Sequence, residues 1–327
     1  MANIFIVANE HQVQQVDYVI NNLVEEDINI LLCENSIKNS KVINSFLRKI
    51  DIEIIYFKKW FFKDLVSFKA LHKDFIKKIK FLRNEYKEFK IFSSQYGSDF
   101  VLLLFSMLRP TKFYLLDEGT ASIKVACLRR KRFSFKKNAQ LLIKSVLYRK
   151  RLTLPKKVTF ITDYDLSIKK EDSVIKMSHE LYKNEVDRYL DEVHIIGSSV
   201  VEAGIVSERN YLNYLKSIVS NSYTEEIFYF SHKSEKADKL AEIERLGLTI
   251  VEYKIPYEFR FNELLNLPTQ IYSFISPVVF NIANKYQNIP ELYTVKLPEH
   301  HILKDRPIYK EILETYSRHS RIDNYIV

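Results

Sequence analysis

Short apolar runs alternate with segments of helical spacing from one end of the chain to the other. Residues 4–8, 28–33, 52–57 and 89–94 each read as a buried strand, and helical patterns fill the intervals between them. Strands that alternate with helices in this way specify a parallel sheet with helices on both faces. The chain is therefore predicted to be an α/β protein. The same pattern predicts strands at 112–116, 158–162, 193–196, 227–230, 248–253, 271–276 and 292–297, and helices at 13–24, 100–108 with Asp99 as N-cap, 180–190, 211–220, 277–285 and 307–320.

The length predicts two domains. A chain of 327 residues exceeds the size at which one hydrophobic core usually stops growing. The boundary is expected near the predicted helix 180–190, giving an N-terminal domain at 1–180 and a C-terminal domain at 181–327. Hydrophobic residues make up 46% of the chain and charged residues 28%, which is typical of globular proteins with a substantial core.

Several protein classes are disfavoured by what the sequence lacks. Two cysteines, Cys33 and Cys127, give no disulfide framework and no cysteine-rich zinc site, so a reducing cytoplasm is expected. The first residues show no secretory signal, and the uncharged run 264–284 is interrupted by Pro268 and Pro277, so no membrane span is expected. None of the five glycines forms a dinucleotide-binding or P-loop pattern.

A strongly basic segment occupies residues 124–157. Thirteen Lys and Arg and no acidic residue lie between Gly119 and Thr162, and apolar residues are interleaved with them. Such a segment suits an anionic membrane surface, and a solvated helical face is the alternative. The net charge of +9 also fits a phosphate-bearing small substrate. Nucleic acid is not expected as a partner, because nothing else in the chain resembles a nucleic-acid-binding motif.

His232 ends the apolar run that begins at residue 227. A helical pattern follows it, so His232 is predicted in a turn at the carboxyl end of a parallel strand. Ligands of open α/β sheets bind at that edge, where the backbone N–H groups that begin the next helix favour anions. A histidine there can bind a phosphate or transfer a proton to it. The alternative is that His232 is a surface residue of the turn without a functional role.

Other strand ends carry polar or small residues of the same kind. Gly197, Ser198 and Ser199 follow one strand and would let backbone N–H groups approach a phosphate, although an ordinary turn has the same composition. Ser276 precedes a proline-initiated helix, where it caps the helix and can face an anion. Asp163 and Asp165 follow the strand 158–162, and such a pair could hold a divalent cation or form a simple turn.

Read together, these pieces resemble glycosyltransferase family 52, the bacterial sialyltransferases of lipooligosaccharide and related surface glycans. The resemblance covers nearly the whole chain, with Lys233, Ser234 and Pro277 as departures from the family pattern. The matching residues, in the family's order, are Gln12, the segment 116–120 with Asp117, Glu118 and Gly119, the segment 197–199, the segment 229–232 with Ser231 and His232, Glu235, and the segments 274–276 and 281–282.

The resemblance implies a GT-B fold, in which two Rossmann-like domains face a central cleft, with the acceptor on the N-terminal side and the nucleotide sugar in the C-terminal domain. It implies metal-independent, inverting transfer of sialic acid, or a related nonulosonic acid, from its CMP ester to a glycan hydroxyl such as that of galactose. No cofactor is expected. The acceptor would belong to lipooligosaccharide or capsule, and the enzyme to the cytoplasm, peripherally at the inner face of the membrane.

For the general base the resemblance leaves two candidates, Glu202 and Asp117. His232 would be the general acid or a phosphate ligand, and Gly197, Ser198, Ser199, Ser231 and Ser276 would bind the donor nucleotide. Two other hypotheses stay open: a glycosyltransferase with a UDP-hexose donor, metal-dependent if Asp163 and Asp165 hold a cation, and a basic protein without enzymatic activity that binds a membrane or nucleic acid through 124–157.

Overall fold

Two separate parallel sheets, each covered by helices, organise the chain. The computed structural model describes residues 1–24, 27–50, 52–57, 73–131, 135–148, 150–177, 181–252, 257–261 and 263–326. The chain divides into two compact units, which we call unit 1, Met1–Met177, and unit 2, Ser178–Val327.

Unit 1 contains a seven-stranded sheet in the order β3-β2-β1-β4-β5-β6-β7, and every strand pair is parallel. The strands are β1 Ala2–Val7, β2 Ile28–Glu34, β3 Glu53–Phe57, β4 Phe89–Ser93, β5 Lys112–Leu116, β6 Thr159–Thr162 and β7 Ser173–Lys176. The helices of its described part are α1 Glu10–Asn22, α2 Lys41–Lys49, α3 Lys73–Glu85, α4 Asp99–Leu108, α5 Thr120–Arg130 and α6 Phe135–Leu147.

Alternate residues of a central strand enter different cores. In β1, Ile4 and Ile6 pack in one apolar cluster, whereas Phe5 and Val7 pack in a second one. Successive side chains of a strand point to opposite faces of the sheet, so both faces of this sheet are covered. This explains why the central strands appear in the sequence as continuous apolar runs.

Unit 2 contains a six-stranded sheet in the order β10-β9-β8-β11-β12-β13, again with parallel pairs throughout. The strands are β8 Arg188–Ile196, β9 Ile227–Phe230, β10 Thr249–Val251, β11 Asn266–Ser273, β12 Glu291–Lys296 and β13 Asp323–Ile326. The helices of its described part are α7 Glu208–Asn221, α8 Ala237–Arg245, α9 Tyr257–Phe261, α10 Pro277–Lys285 and α11 Arg306–Ser317.

The two sheets share one topology. In each, the first strand of the unit lies in the middle, the second and third lie to one side, and the fourth, fifth and sixth lie to the other. This is the strand order of a Rossmann-type doubly wound sheet, in which the order of strand addition reverses between the first and fourth strands while all strands stay parallel. The predicted α/β fold with two Rossmann-like units is therefore confirmed.

Two local predictions were wrong. The helix expected at 180–190 does not form, because β8 begins at Arg188 and pairs with β11 from that residue onward. The N-cap of α4 is Ser98, whose Oγ accepts from Val101 N at 3.3 Å. Asp99 is instead the first helical residue and forms an ion pair with Lys144 at 2.6 Å. The edge strands β7 and β13 were not predicted.

A buried ion pair anchors the start of the basic segment. The Arg129 guanidinium donates to both carboxylate oxygens of Asp172, at 2.6 and 2.7 Å, and to Tyr96 OH, Pro155 O and Lys156 O. Both charged side chains are almost fully buried. Arg129 therefore fixes α5 to the chain before β6 and is not part of a basic surface.

Within the described ranges, no helix is both long and apolar enough to cross a membrane. The uncharged run 264–284 contains β11 and most of α10.

Candidate functional site

The strand order of unit 2 reverses between β8 and β11, and the segments that follow these strands carry several predicted site residues. β8 ends at Ile196 and continues into Gly197 and Ser198. Ser276 is the N-cap of α10, and its Oγ accepts from Val278 N at 3.4 Å. In doubly wound sheets this crevice is the usual place for a ligand, and the first N–H groups of a helix there favour an anion.

The backbone before α10 is strained. Ile275 has φ +49°, in the left-handed region that β-branched residues rarely adopt. Strain of this kind persists only where surrounding structure imposes it, and it is concentrated at functional sites. Ser273, the last residue of β11, is 1% exposed and its Oγ has no hydrogen-bond partner within the described structure.

Position 197 requires glycine because atoms of the turn after β9 pack closely against its Cα. A Cβ at this position would lie 2.5 Å from Glu235 Oε2 and 2.8 Å from both Phe230 O and the Tyr229 hydroxyl oxygen. Such separations are far below van der Waals contact. Gly197 N also donates to Phe230 O at 2.8 Å. The absence of a side chain therefore lets the turn after β8 lie directly against the turn after β9.

The serines of this edge differ in their environment. Ser198 is buried next to Tyr211, close enough to oppose in part the effect of burial on the pKa of that phenol, although its Oγ forms no hydrogen bond of ordinary geometry within the described residues. Ser199 is half-buried. Ser231 is buried at the end of β9, with its Oγ 3.5 Å from Val251 O. Ser198 therefore resembles Ser273 in having a buried hydroxyl that a ligand could satisfy, because a buried hydroxyl without a partner is costly.

His232 lies in the turn after β9, as predicted, and its imidazole is half-buried. Its Nδ1 accepts from Ser234 N at 3.2 Å, so the proton of the neutral ring is on Nε2. Its backbone N donates to Glu235 Oε2 at 2.6 Å, and Glu235 N donates back to His232 O at 2.9 Å. The turn therefore presents Nε2–H as a hydrogen-bond donor.

Glu202 lies in the segment after β8, but its carboxylate is already engaged. Lys239 Nζ lies 3.1 Å from Oε1 and 3.3 Å from Oε2, and Lys236 N donates to Oε1 at 3.4 Å. The side chain of Glu202 is 12% exposed. A carboxylate bound in this way is poorly available to take a proton from a substrate.

In unit 1, Asp117 follows β5 and is buried. Its Oδ1 accepts from Ser122 Oγ at 2.6 Å and its Oδ2 from Thr162 Oγ1 at 3.0 Å. Burial raises the pKa of Asp117 to about 7, although the hydrogen bonds from both hydroxyls act in the opposite direction. A carboxyl group with a pKa near 7 can exchange a proton at neutral pH, which is what a general base requires.

Glu118 and Gln12 are also brought together. Glu118 Oε1 accepts from Gln12 Nε2 at 3.1 Å and from Asn9 Nδ2 at 3.4 Å, and Gln12 Oε1 accepts from Ala8 N at 2.6 Å. Gly119 has φ +60° and is the N-cap of α5, a conformation that favours glycine. The carboxyl ends of β1, β5 and β6 therefore carry neighbouring polar contacts that involve the predicted residues Gln12, Asp117 and Glu118.

The predicted pair Asp163 and Asp165 lies beside Lys176. Asp165 forms an exposed ion pair with Lys176 at 2.6 Å, and the backbone carbonyl of Asp163 accepts from the same Lys176 at 2.9 Å. Across the part of the chain that the structure describes, no group of three or more His, Cys, Asp or Glu side chains could hold a metal ion.

Two residues of the site, Lys239 and Thr162, are not indicated by sequence motifs. Lys239 lies in α8 and pairs with Glu235, which precedes the helix, so the contact depends on the conformation of the turn after β9. Thr162 ends β6 and hydrogen-bonds Asp117, a contact that depends on the pairing of β5 with β6 and has no signal in the sequence.

The basic segment 124–157 contains an apolar patch on α6. Leu142, Ile143 and Val146 are 68%, 56% and 70% exposed, respectively. Lys150 and Arg151 follow α6 and are also exposed. Of the predicted basic residues, Arg132 and Arg149 lie outside the described residues, as do the side chains of Lys136 and Lys137.

Comparison with known proteins gives no family. No protein-family model and no curated protein matches the chain. Among solved structures it is similar to MurG of Acinetobacter baumannii, with 12% identity, a TM-score of 0.45, and coverage of 99% of this chain and 85% of that chain. It is also similar to the glycosyltransferase of kitacinnamycin, with 8% identity, a TM-score of 0.46, and coverage of 99% and 86%. A third similarity is to apo UGT2 of Phytolacca americana, with 8% identity, a TM-score of 0.47, and coverage of 99% and 85%. At these values the similarities decide neither activity nor substrate, and the fold assignment rests on the strand order of the two sheets.

Proposed function

We propose that the protein is a glycosyltransferase that moves a sugar from a nucleotide-sugar donor to a hydroxyl of a glycan acceptor. The observation that carries the proposal is the group of anion-binding features at one edge of unit 2. Buried Ser198, the Nε2–H of His232 and the N-terminus of α10 at Ser276 follow three adjacent strands, β8, β9 and β11. Backbone and side-chain donors of this kind suit the phosphate of a donor nucleotide.

The donor that we favour is the CMP ester of a nonulosonic acid such as sialic acid, transferred with inversion and without a metal. The support is the sequence resemblance of the segments 116–120, 197–199, 229–232 and 274–276 to the bacterial sialyltransferases. When the glycosidic bond to the CMP phosphate breaks, negative charge develops on the phosphate. His232 Nε2–H and the first N–H groups of α10 would stabilise that charge, and Ser198 would add a hydrogen bond.

The second part of the proposal concerns the proton of the acceptor hydroxyl. As the acceptor oxygen bonds to the anomeric carbon, its proton must pass to a base. Asp117 is favoured over Glu202, because its pKa of about 7 suits proton transfer at neutral pH and its hydrogen bonds come from neutral hydroxyls. Both oxygens of Glu202 instead lie within 3.3 Å of the Lys239 ammonium. Unit 1 would then bind the acceptor, and unit 2 the donor.

The third part of the proposal concerns where the protein acts in the cell. The exposed apolar residues Leu142, Ile143 and Val146 on α6 lie in a segment rich in Lys and Arg. A helix with this composition binds an anionic membrane through both burial and charge. We therefore propose a cytoplasmic enzyme that docks at the inner face of the membrane, where a lipid-linked surface glycan would be its acceptor.

A thermal-shift titration tests the donor class. A ligand that binds only the folded state increases the free energy of unfolding by mass action, by about 2.7 kcal/mol at a hundredfold excess over Kd, and so raises the midpoint temperature. We expect CMP without added metal to raise the midpoint, and His232→Ala to abolish that shift while leaving the midpoint of the free protein within about 2 °C of the parent. Stabilisation by UDP with manganese alone would favour a UDP-hexose donor instead. No shift with either nucleotide, together with binding to anionic vesicles, would contradict the enzymatic assignment.

A further inference from the structure

Unit 2 buries an ammonium group behind the His232 turn. Lys239 is 2% exposed, and its Nζ lies 2.6 Å from Glu235 Oε1 and 3.1 Å from Glu202 Oε1. The same Nζ lies 4.6 Å from the centre of the Tyr211 ring. A buried ammonium is tolerated only when it is paired and hydrogen-bonded. We call Lys239, Glu235, Glu202, Tyr211 and Tyr229 the Lys239 cluster.

Each carboxylate of the cluster belongs to a different part of the candidate site. Glu235 accepts the backbone N–H of His232 at 2.6 Å and the Tyr229 hydroxyl at 2.6 Å, so it fixes the turn after β9. Glu202 belongs to the segment after β8, which begins with Gly197. Because one ammonium binds both carboxylates, the turn after β8 is held to the turn after β9.

Tyr211 and Tyr229 link the Lys239 cluster to the surroundings of Ser198. The Tyr211 and Tyr229 hydroxyls lie 2.7 Å apart, and Ser198 lies next to Tyr211. Burial raises the pKa of both phenols well above their ordinary value, so both stay protonated and act as hydrogen-bonding groups. Hydrogen bonds therefore lead from Tyr211, beside Ser198, through Tyr229 and Glu235 to the backbone N of His232.

We infer that Glu202 and Lys239 are positioning residues for the anion site, and that Glu202 is not the general base. Lys239 holds Glu202 and Glu235 in place, and this keeps Ser198 and His232 at a fixed separation for a phosphate. This inference rests on the proposed function only for the identity of the ligand, since the cluster is defined by contacts that exist without it.

The decisive variant is Glu202→Gln, which removes one charge, keeps the shape of the side chain and leaves Lys239 paired with Glu235. The matched control is Glu208→Gln, which changes an exposed glutamate in the first turn of α7. For Glu202→Gln we expect the Kd for CMP to rise by about tenfold, as for loss of one charge-assisted contact. We expect kcat to stay within about tenfold of the parent, with the acidic limb of its pH profile retained.

A second readout does not depend on transfer activity. Nitrogen-15 NMR of the imidazole rings reports the tautomer of His232, whose signals are assigned by their loss in His232→Gln. We expect the Nε2–H tautomer in the parent and in Glu208→Gln, and a shifted or exchange-broadened signal in Glu202→Gln and Lys239→Met. If Lys239→Met unfolds, Glu202→Gln alone decides. The triple variant Glu202→Gln/Glu235→Gln/Lys239→Met is then expected to recover part of the stability, because it leaves neither carboxylate buried without a cation.

The possible failures can be told apart. A loss of kcat of roughly 10²-fold or more in Glu202→Gln, with CMP affinity and the His232 signal unchanged, would make Glu202 the base and overturn the inference. No change in affinity, kcat or the His232 signal would also overturn it. If the parent shows no transfer at all, the proposed function fails, while the imidazole signal still decides whether the Lys239 cluster positions His232.

Discussion

The strongest test of the unit 1 site is the pH dependence of stability in Asp117→Asn. Burial raises the pKa of Asp117 from 3.8 to about 7. One pKa unit corresponds to about 1.4 kcal/mol, so ionising Asp117 in the folded state costs on the order of 4 kcal/mol more than ionising it in the unfolded chain. Because the folded state binds the proton more tightly, this contribution to stability is complete below about pH 4 and is lost as the pH rises to about 7.

Asparagine removes the titration and keeps the shape of the side chain. Its amide oxygen can accept from one hydroxyl and its amide N–H can donate to the other, so Ser122 and Thr162 keep a partner. Between about pH 5 and about pH 8 we expect the free energy of unfolding of the parent to fall by about 3 kcal/mol relative to Asp117→Asn. Above about pH 7, the variant should be the more stable protein.

Urea unfolding followed by circular dichroism at several pH values measures this difference. Asp165→Asn is the control, because Asp165 is an exposed carboxylate near the same sheet edge, paired with Lys176 on the surface. Its pH profile should run parallel to that of the parent. Parallel profiles for the parent and Asp117→Asn would refute the reasoning, since they would mean that Asp117 ionises with an ordinary pKa. In a transfer assay, Asp117→Asn is expected to lower kcat by roughly 10²-fold or more if Asp117 is the base.

Three further changes test the packing and the surface. Gly197→Ala is expected to cost about 1–3 kcal/mol in urea unfolding, because its Cβ would overlap a carboxylate, a carbonyl and a phenol, and unchanged stability would contradict the close approach. Arg129→Leu should lower the free energy of unfolding by about 3–5 kcal/mol, because it leaves Asp172 buried without a cation. Arg129→Leu/Asp172→Leu should recover part of that stability. Equal losses for the single and double variants would exclude this cause. Leu142→Ser/Val146→Ser should weaken sedimentation with anionic vesicles without lowering the thermal midpoint, and unaltered vesicle binding would place the membrane contact elsewhere.

The fold was predictable wherever local pattern and tertiary packing agree. Residues such as Ile4 and Phe5 are buried on opposite faces of the same strand, so the apolar run alone identifies it. The start of β8 at Arg188 carries polar residues, and its strand state comes from pairing with Asn266 in β11. The edge strand β13 was missed for the same reason, because an edge strand need not be an apolar run.

The sequence by itself determined that the chain alternates strands and helices, and that His232 and Ser276 follow strand ends, because hydrophobic periodicity and helix-capping chemistry act over a few residues. Only the tertiary structure decided what the acidic residues do. Glu202 pairs with Lys239 across 37 positions. Burial raises the pKa of Asp117 against the effect of a hydrogen bond from Thr162, 45 positions away. Charge and desolvation act through space, so the protonation and availability of these groups depend on which strands become neighbours.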